Sequence, residues 1–219
     1  IFLLVYLILA VTFGFALLTA EIAIGRKTKL SPVLAYKKLN KKFSFLGYIA
    51  TLVPIIIIPY YCVIGGWVTK YVTVYAQGLV APAAKDGYFS DFIGHPVSPL
   101  VFFLIFMLLS IVVIMLGVKK GIEKLSKFLM PLLVVLTIGI AIYALTLPNA
   151  MEGVKYYLIP DFSKFSILTV AGAMSQLFYS MSIAMGIMVT YGSYTRDDVN
   201  LTKSVNRIEF FDTLVALLA

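Results

Sequence analysis

Residues that commonly build metal centres, disulfides and catalytic triads are nearly absent from this sequence. Among 219 residues there is one cysteine, Cys62, and one histidine, His95. A lone cysteine excludes an internal disulfide and a cysteine-based zinc site, and a lone histidine cannot anchor a metal site unaided. No phosphate-binding loop is recognisable, and the scattered serines share no plausible site with His95 and Asp212. We therefore expect a protein that is not an enzyme and has no cofactor.

Charged residues are also scarce. They form 13% of the chain, against 61% apolar residues, and the mean hydropathy is +1.00. This composition argues against a soluble domain and predicts an all-α polytopic membrane protein. The apolar segments lie at about 1–25, 43–77, 99–117, 127–147, 166–194 and 206–219. Because the sequence starts with Ile1 and both ends lie in apolar runs, we expect residues 1–219 to be a single transmembrane domain truncated at both ends.

Acidic residues are missing from the first connection between segments. Its basic residues are Arg26, Lys27, Lys29, Lys37, Lys38, Lys41 and Lys42. Basic residues are also concentrated in the third and fifth connections. The positive-inside rule therefore predicts that loops 26–42, 118–127 and 195–205 are cytoplasmic in a multi-pass protein of the cell (plasma) membrane. This distribution explains the net charge of +8 without a nucleic-acid partner. Within the first connection, the spacing over residues 30–43 predicts a short amphipathic helix.

One segment lacks the continuous run of large apolar residues that a simple membrane anchor has. Inside 166–194, the stretch Ser180-Met-Ser-Ile-Ala-Met-Gly186 is small and polar. An unpaired backbone group in hydrocarbon costs several kcal/mol, so a broken helix survives only inside protein or beside a wet cavity. Two interpretations are open: a broken helix that carries a binding site, or small residues that let another helix approach closely.

Two acidic residues lie within apolar runs, where each needs a partner. Glu21 either pairs with the nearby Arg26 or accepts hydrogen bonds from exposed backbone, such as that at 180–186. Asp212 lies about a turn and a half inside the last segment. It could bind a cation, relay a proton or contact another helix.

Aromatic residues lie deep in the second segment. Tyr60, Tyr61 and Trp67 are too far inside the apolar run to form only an interfacial belt, and Ile57 shares a helix face with Tyr61. Buried tyrosine hydroxyls need partners, so each could bind a substrate carboxylate, a backbone carbonyl or another helix.

Taken in order, the motifs of this chain resemble those of the neurotransmitter:sodium symporter family, particularly its bacterial amino-acid members. The motifs are Ala20-Glu-Ile-Ala-Ile-Gly-Arg26, Tyr60-Tyr61 with Trp67, Gly121-Ile-Glu-Lys-Leu-Ser-Lys127, Pro160-Asp-Phe-Ser163, Gln176-Leu-Phe-Tyr-Ser-Met-Ser182 and Thr190-Tyr-Gly-Ser-Tyr194. The resemblance implies helices 2 to 6 and the start of helix 7 of an incomplete inverted-repeat transporter fold, with a broken helix at about 180–186. It implies sodium-coupled symport of an amino acid or related small amine by alternating access. The alternatives are a proton-coupled amino-acid permease and a transport-inactive structural membrane protein.

The resemblance also implies roles for individual residues. The implied substrate-binding residues are Ile57, Tyr61, Tyr179, Ser180, Ser182 and Met185. Among them, Tyr61 would bind the substrate carboxylate and form an outer lid with Tyr179, although Tyr179 and Met185 depart from the family's commoner residues. Ser180 and Asp212 would supply oxygens to sodium, the coupling ion, and Glu21 would brace the unwound helix.

The resemblance further places Tyr6 and Gln176 in the surroundings of the chloride site of animal members. A fixed carboxylate at Asp212 would repel an anion and could itself offset the sodium charge, so we predict chloride-independent transport. The expected partners are Na⁺, a small amino-acid-like substrate, the lipid bilayer and the remainder of the same chain.

Overall fold

A computed structural model describes residues 1–218, with Lys164 described by its backbone alone, and every regular element in this range is helical. The α-helices are α1 (Phe2–Leu9), α2 (Phe15–Thr28), α3 (Pro32–Leu39), α4 (Ser44–Ala76), α5 (Val80–Ala83), α6 (Tyr88–Gly94), α7 (Ser98–Met115), α8 (Glu123–Leu145), α9 (Ala150–Leu158), α10 (Ile167–Ser180), α11 (Ile187–Tyr194) and α12 (Leu201–Leu218). Two π-helical turns, Ala10–Gly14 and Val118–Ile122, precede α2 and α8, and short 3-10 turns at Lys41–Phe43 and Phe162–Lys164 lie between other helices. The prediction of an all-α chain is confirmed.

Among residues 1–218, four continuous helical stretches are long and apolar enough to cross a membrane. They are Phe2–Thr28, Lys41–Ala76, Ser98–Met115 and Val118–Leu145. These stretches correspond to the first four predicted segments. The fifth segment is divided between α10 and α11, and the sixth starts earlier than expected, at Leu201. The chain is therefore a multi-pass membrane protein.

Some boundaries and short helices differ from the sequence expectation. The fourth segment is helical well before residue 127, where Lys127 and Glu123 form an i, i+4 ion pair with a 2.7 Å separation. The helix expected within 30–43 is present as α3. The short helices α5, α6 and α9 lie in connections for which the sequence analysis predicted no helix, because runs of four to nine residues give little periodic signal.

The described contacts divide the chain into two compact units. One unit consists of Ile1–Val53 with Leu132–Ala219, and the other is Pro54–Pro131. Both boundaries fall inside long helices at a proline, Pro54 in α4 and Pro131 in α8. Proline removes a backbone donor and weakens the helix at that point. The single transporter domain expected from the sequence stays a prediction.

In the first unit, the N-terminal helices accompany both halves of the broken helix. Helix α1 packs on α10, while α2 packs on α11 and α12. The larger buried cluster consists of Tyr6, Ala10, Ala173, Leu177, Met181 and Ile183. The smaller cluster consists of Leu18, Ile22 and Val205. The core of this unit therefore surrounds the point where the helix is interrupted.

Glycines allow α2 and α11 to touch through their backbones. A Cβ atom placed on Gly25 would lie 1.9 Å from the Val189 carbonyl oxygen, and one on Gly192 would lie 2.3 Å from the Ile22 carbonyl oxygen. Neither position can hold a larger residue without separating the helices. Backbone contact at small residues is a common way to join helices in membranes.

In the second unit, aromatic side chains of α6 and α7 contact α4. The rings of Trp67 and Phe89 meet edge to face with centroids 5.1 Å apart. The Lys70 ammonium lies 5.3 Å from the centre of the Phe102 ring and 5.9 Å from that of Phe92. Aromatic faces attract a cation at these distances, which gives a physical reason for a lysine inside the second apolar segment.

Candidate functional site

The centre of the first unit is an interruption of the helix that spans residues 167–194. Helix α10 ends at Ser180 and α11 begins at Ile187. Within this break, Ser182, Ala184 and Gly186 have φ angles of 52°, 63° and 69°. The left-handed conformation costs about 1–2 kcal/mol for a residue with a side chain, so Ser182 and Ala184 must be held by their surroundings. The predicted break is confirmed.

Glu21 on α2 supplies a hydrogen-bond acceptor to the break. Its side chain is buried, and Oε1 accepts a hydrogen bond of 2.6 Å from the Ala184 N–H. A carboxylate is a strong acceptor for a backbone N–H that a broken helix no longer satisfies. The other oxygen, Oε2, is buried and has no hydrogen-bond partner among residues 1–218.

The second end of the break lies against α3. A Cβ atom on Gly186 would lie 2.9 Å from Cγ of Pro32 and 3.4 Å from the Ala50 carbonyl oxygen. Burial raises the pKa of Tyr36, also on α3, and the charge of Glu21 raises it further. The Tyr36 phenol is therefore protonated at neutral pH.

A polar cluster lies at the first end of the break. Ser180 donates a 2.6 Å hydrogen bond from Oγ to Oδ2 of Asp212 on α12. The hydroxyl of Tyr6 is buried beside Ser180 and Thr213 but makes no well-formed hydrogen bond to any described residue. The last residue of α10 is thus joined to α12, with the buried Tyr6 next to both.

Gln176 lies one turn before Ser180 on α10. It lines a cavity of about 780 Å³ together with Tyr6, Thr169, Lys155 and Asp161. The cavity is also lined by apolar residues of α1 and by Ala216 and Leu217. The two residues named for an anion site, Tyr6 and Gln176, therefore line one cavity.

The structure brings eight of the predicted site residues into the first unit. They are Tyr6, Glu21, Gln176, Tyr179, Ser180, Ser182, Met185 and Asp212. Tyr179 is 45% exposed, whereas Ser182 and Met185 are partly buried. Ile57 and Tyr61 belong to the second unit, on consecutive turns of α4, where the Tyr61 ring contacts Tyr60 with centroids 6.1 Å apart.

Sequence reasoning missed a contact between the end of α2 and the loop after α11. Arg26 donates hydrogen bonds to the carbonyl oxygens of Val199, at 2.8 Å, and Asp197. Lys29 lies 3.2 Å from the Asp197 carboxylate and donates to the Thr195 carbonyl oxygen. Arg26 is therefore engaged by this loop, while Glu21 is engaged by the break. The only sequence signal was an acidic residue in a basic connection, about 170 positions from its partners.

Comparisons with known proteins agree with the motif pattern. A model of the sodium:neurotransmitter symporter family matches residues 1–82 and 90–219. The chain is 33% identical to the uncharacterized sodium-dependent transporter YhdH of Bacillus subtilis (strain 168) and 31% identical to an uncharacterized sodium-dependent transporter of Haemophilus influenzae. Each alignment covers 100% of this chain and 49% or 51% of the relative.

A more distant relative is an animal protein. The sodium- and chloride-dependent taurine transporter of Rattus norvegicus is 25% identical over 91% of this chain and 39% of its own length. The chain thus spans about half the length, or less, of the curated relatives it matches.

Proposed function

This chain belongs to the sodium:neurotransmitter symporter family, and from that premise we propose that the complete protein is a sodium-coupled symporter of a small amino-acid-like substrate. The observation that carries the proposal is the interruption between α10 and α11, where Glu21 accepts a hydrogen bond from the Ala184 N–H. A membrane protein keeps irregular backbone at this depth only where protein or a wet cavity surrounds it. Exposed backbone groups can then bind ions and polar substrates.

The two ends created by the break have opposite polarity. The N-terminus of α11 offers backbone N–H groups and about half a positive charge, which suits an anionic group of the substrate. The C-terminus of α10 offers carbonyl oxygens, which suit Na⁺. An amino acid carries a carboxylate, so we propose that it binds at the break with Ser182 and Met185 as contacts.

The remaining substrate contacts follow from the family resemblance. We propose that Tyr61 donates to the substrate carboxylate, that Ile57 lines the pocket and that Tyr179 covers it. The name of the rat relative identifies taurine as its substrate, which supports a small amino-acid-like molecule as the class.

For sodium, the proposed oxygens are those of Ser180 and Asp212. Both side chains already lie within hydrogen-bond distance of each other, so a hard cation could be shared by a hydroxyl and a carboxylate at one place. The Asp212 charge would also make chloride unnecessary, in contrast to relatives whose names include chloride dependence. Tyr6 and Gln176 would then lie around the Asp212 carboxylate instead of a bound chloride ion.

Transport would follow from coupled binding. Sodium and substrate would each stabilise the conformation in which both sites are formed, so their binding free energies are linked. The linked binding would bias the exchange between outward-open and inward-open states. Glu21 is a positioning residue in this scheme, because it holds the backbone and touches neither sodium nor substrate.

Uptake of labelled amino acids and taurine by the complete protein in proteoliposomes tests the proposal. We expect uptake to require an inward sodium gradient and to fall at least tenfold in Asp212→Ala. Equal uptake after sodium is replaced by choline would contradict sodium coupling. Uptake driven by a proton gradient alone would favour a proton-coupled permease, and no uptake of any tested substrate would favour a transport-inactive protein.

A further inference from the structure

A group of lysines on the connection between α2 and α4 has no ion-pair partner in the described part of the chain. The group, here called the lysine surface, consists of Lys37, Lys38, Lys41 and Lys42, and all are exposed. Two other basic residues of the same connection, Arg26 and Lys29, form ion pairs with Asp197. Four uncompensated positive charges therefore lie close together in sequence.

Exposed apolar side chains lie among these lysines. Leu34, Lys37 and Lys38 are spaced i, i+3 and i+4 and so share one face of α3. Leu34 is 50% exposed, and Leu39 and Phe43 are exposed farther along the same connection. Apolar side chains beside lysines are typical of a helix that lies in the membrane interface, with its apolar atoms at the acyl boundary and its ammonium groups among the headgroups.

The other side of α3 is fixed to the protein. Ala35 is completely buried, and a Cβ atom on Gly47 would lie 2.8 Å from both the Pro32 carbonyl oxygen and the Val33 Cα. The apolar span that continues into α4 starts at Lys41, within the lysine surface. The lysines therefore belong to a fixed helix and turn placed at the end of a membrane span.

We propose that the lysine surface binds the headgroups of anionic phospholipids. Lipid phosphates supply the negative charge that no described acidic residue provides to these ammonium groups. The exposed leucine and phenylalanine side chains can contact the acyl chains below the headgroups. Each lysine near an anionic surface adds on the order of a fivefold preference for anionic lipid. Headgroup binding is independent of transport, so its failure and a failure of sodium coupling are separate results.

Fluorescence quenching by spin-labelled lipids in reconstituted vesicles measures this binding directly. A fluorophore is attached at Ser31→Cys in the complete protein, in a background with Cys62→Ala and no other cysteine. Ser31 is exposed and its side chain caps no backbone group, so labelling leaves α3 intact. We expect spin-labelled phosphatidylglycerol to quench more strongly than spin-labelled phosphatidylcholine, and added salt to reduce the difference.

Changing all four lysines of the lysine surface to Gln is expected to lower the preference for phosphatidylglycerol by at least about fivefold, whereas changing them to Arg should retain it. The control is the combined Lys119→Gln, Lys120→Gln and Lys124→Gln variant, which removes three charges from another basic connection and should leave the preference measured at Ser31 unchanged. Equal quenching by the two lipids in the parent protein would overturn the proposal. Quenching by neither lipid, which would indicate a protein-covered surface, or a preference unchanged in the Gln variant would also overturn it.

Discussion

Two carboxylates of the first unit lie within apolar segments and have different partners. Glu21 holds a backbone N–H of the break, while Asp212 accepts a hydroxyl hydrogen bond from Ser180. A carboxylate inside an apolar segment is expensive unless hydrogen bonds or a cation satisfy it. Glu21 is satisfied at one oxygen by the backbone of the same unit, which supports the positioning role proposed for it. Asp212 has a hydroxyl as its described partner and can still offer charge to a cation.

Replacing Glu21 separates the roles of its oxygen and its charge. In Glu21→Ala the Ala184 N–H loses its acceptor. We therefore expect the free energy of unfolding to fall by about 1–3 kcal/mol and the melting temperature to fall with it. Glu21→Gln keeps an amide oxygen and should lose less. Thermal unfolding of the purified complete protein measures both changes. Glu123, an exposed carboxylate paired with Lys127, gives the control: its Ala and Gln variants should change the melting temperature little. Equal losses in the two Glu21 variants would contradict a role for the oxygen.

Replacing Asp212 tests whether its charge substitutes for an anion. Asp212→Asn keeps the size and an acceptor oxygen but removes the charge, so we expect uptake in sodium gluconate to fall at least tenfold. Chloride should restore part of that loss, because an anion can then supply the missing charge beside Tyr6 and Ser180. Ser180→Ala leaves the charge in place and should show no restoration by chloride. The parent protein should transport equally in chloride and gluconate; a requirement for chloride there would refute the idea.

At the scale of helices, the first unit is organised by pairs. The N-terminal helix pairs with both halves of the broken helix, through α1 with α10 and α2 with α11. The π turn at Ala10–Gly14 lies between those pairings, and a Cβ atom on Gly14 would lie 2.9 Å from the Met181 sulfur. An interruption in one helix therefore faces an interruption in the other. Proteins commonly place π turns at functional positions.

The second end of the break gives a prediction for the element as a whole. Gly186→Ala places a residue with a side chain in the left-handed backbone conformation and brings its Cβ against the Pro32 ring. We therefore expect the free energy of unfolding to fall by about 1–3 kcal/mol and uptake to be reduced. Adding Pro32→Ala should recover the part due to the overlap and leave the part due to φ. Gly172→Ala is the control within α10, because its Cβ would make an ordinary 3.5 Å contact with Phe2. The melting temperatures of these variants measure the effect; an unchanged Gly186→Ala would show that this contact does not constrain the break.

The sequence analysis located the break but not its mechanism. Small and polar residues at 180–186 are visible in the sequence, and so is the need of Glu21 for a partner. The choice of Ala184 as that partner depends on a pairing between positions 163 residues apart, which no local pattern encodes. The positive φ of Ser182 and Ala184 was also hidden, because neither residue type is typical of that region. Arg26 was offered as a partner for Glu21 because the two are neighbours in sequence, but it binds the loop after α11.

At the scale of the molecule, the distribution of charge describes how the chain crosses the membrane. The contact between α2 and the loop after α11 joins two connections that the positive-inside rule places on the same side. The structure thus brings together residues of two predicted cytoplasmic loops, 26–42 and 195–205. Surface ion pairs contribute little stability individually, so the carbonyl contacts of Arg26 are the stronger part of this junction.

The topology is testable with single cysteines at exposed positions. In the complete protein, cysteines replacing Lys38, Lys119 or Asp198 should react with a membrane-impermeant maleimide only after the cells are permeabilised. Cysteines replacing Asp86 or Glu152 should react in intact cells, because they lie in the connections with few basic residues. The parent protein, in which Cys62 is buried, should react slowly in both conditions and serves as the control for the variants with one added cysteine. Reaction of Lys38→Cys in intact cells would contradict the predicted orientation. It would place α3 and the second end of the break on the outer side of the membrane.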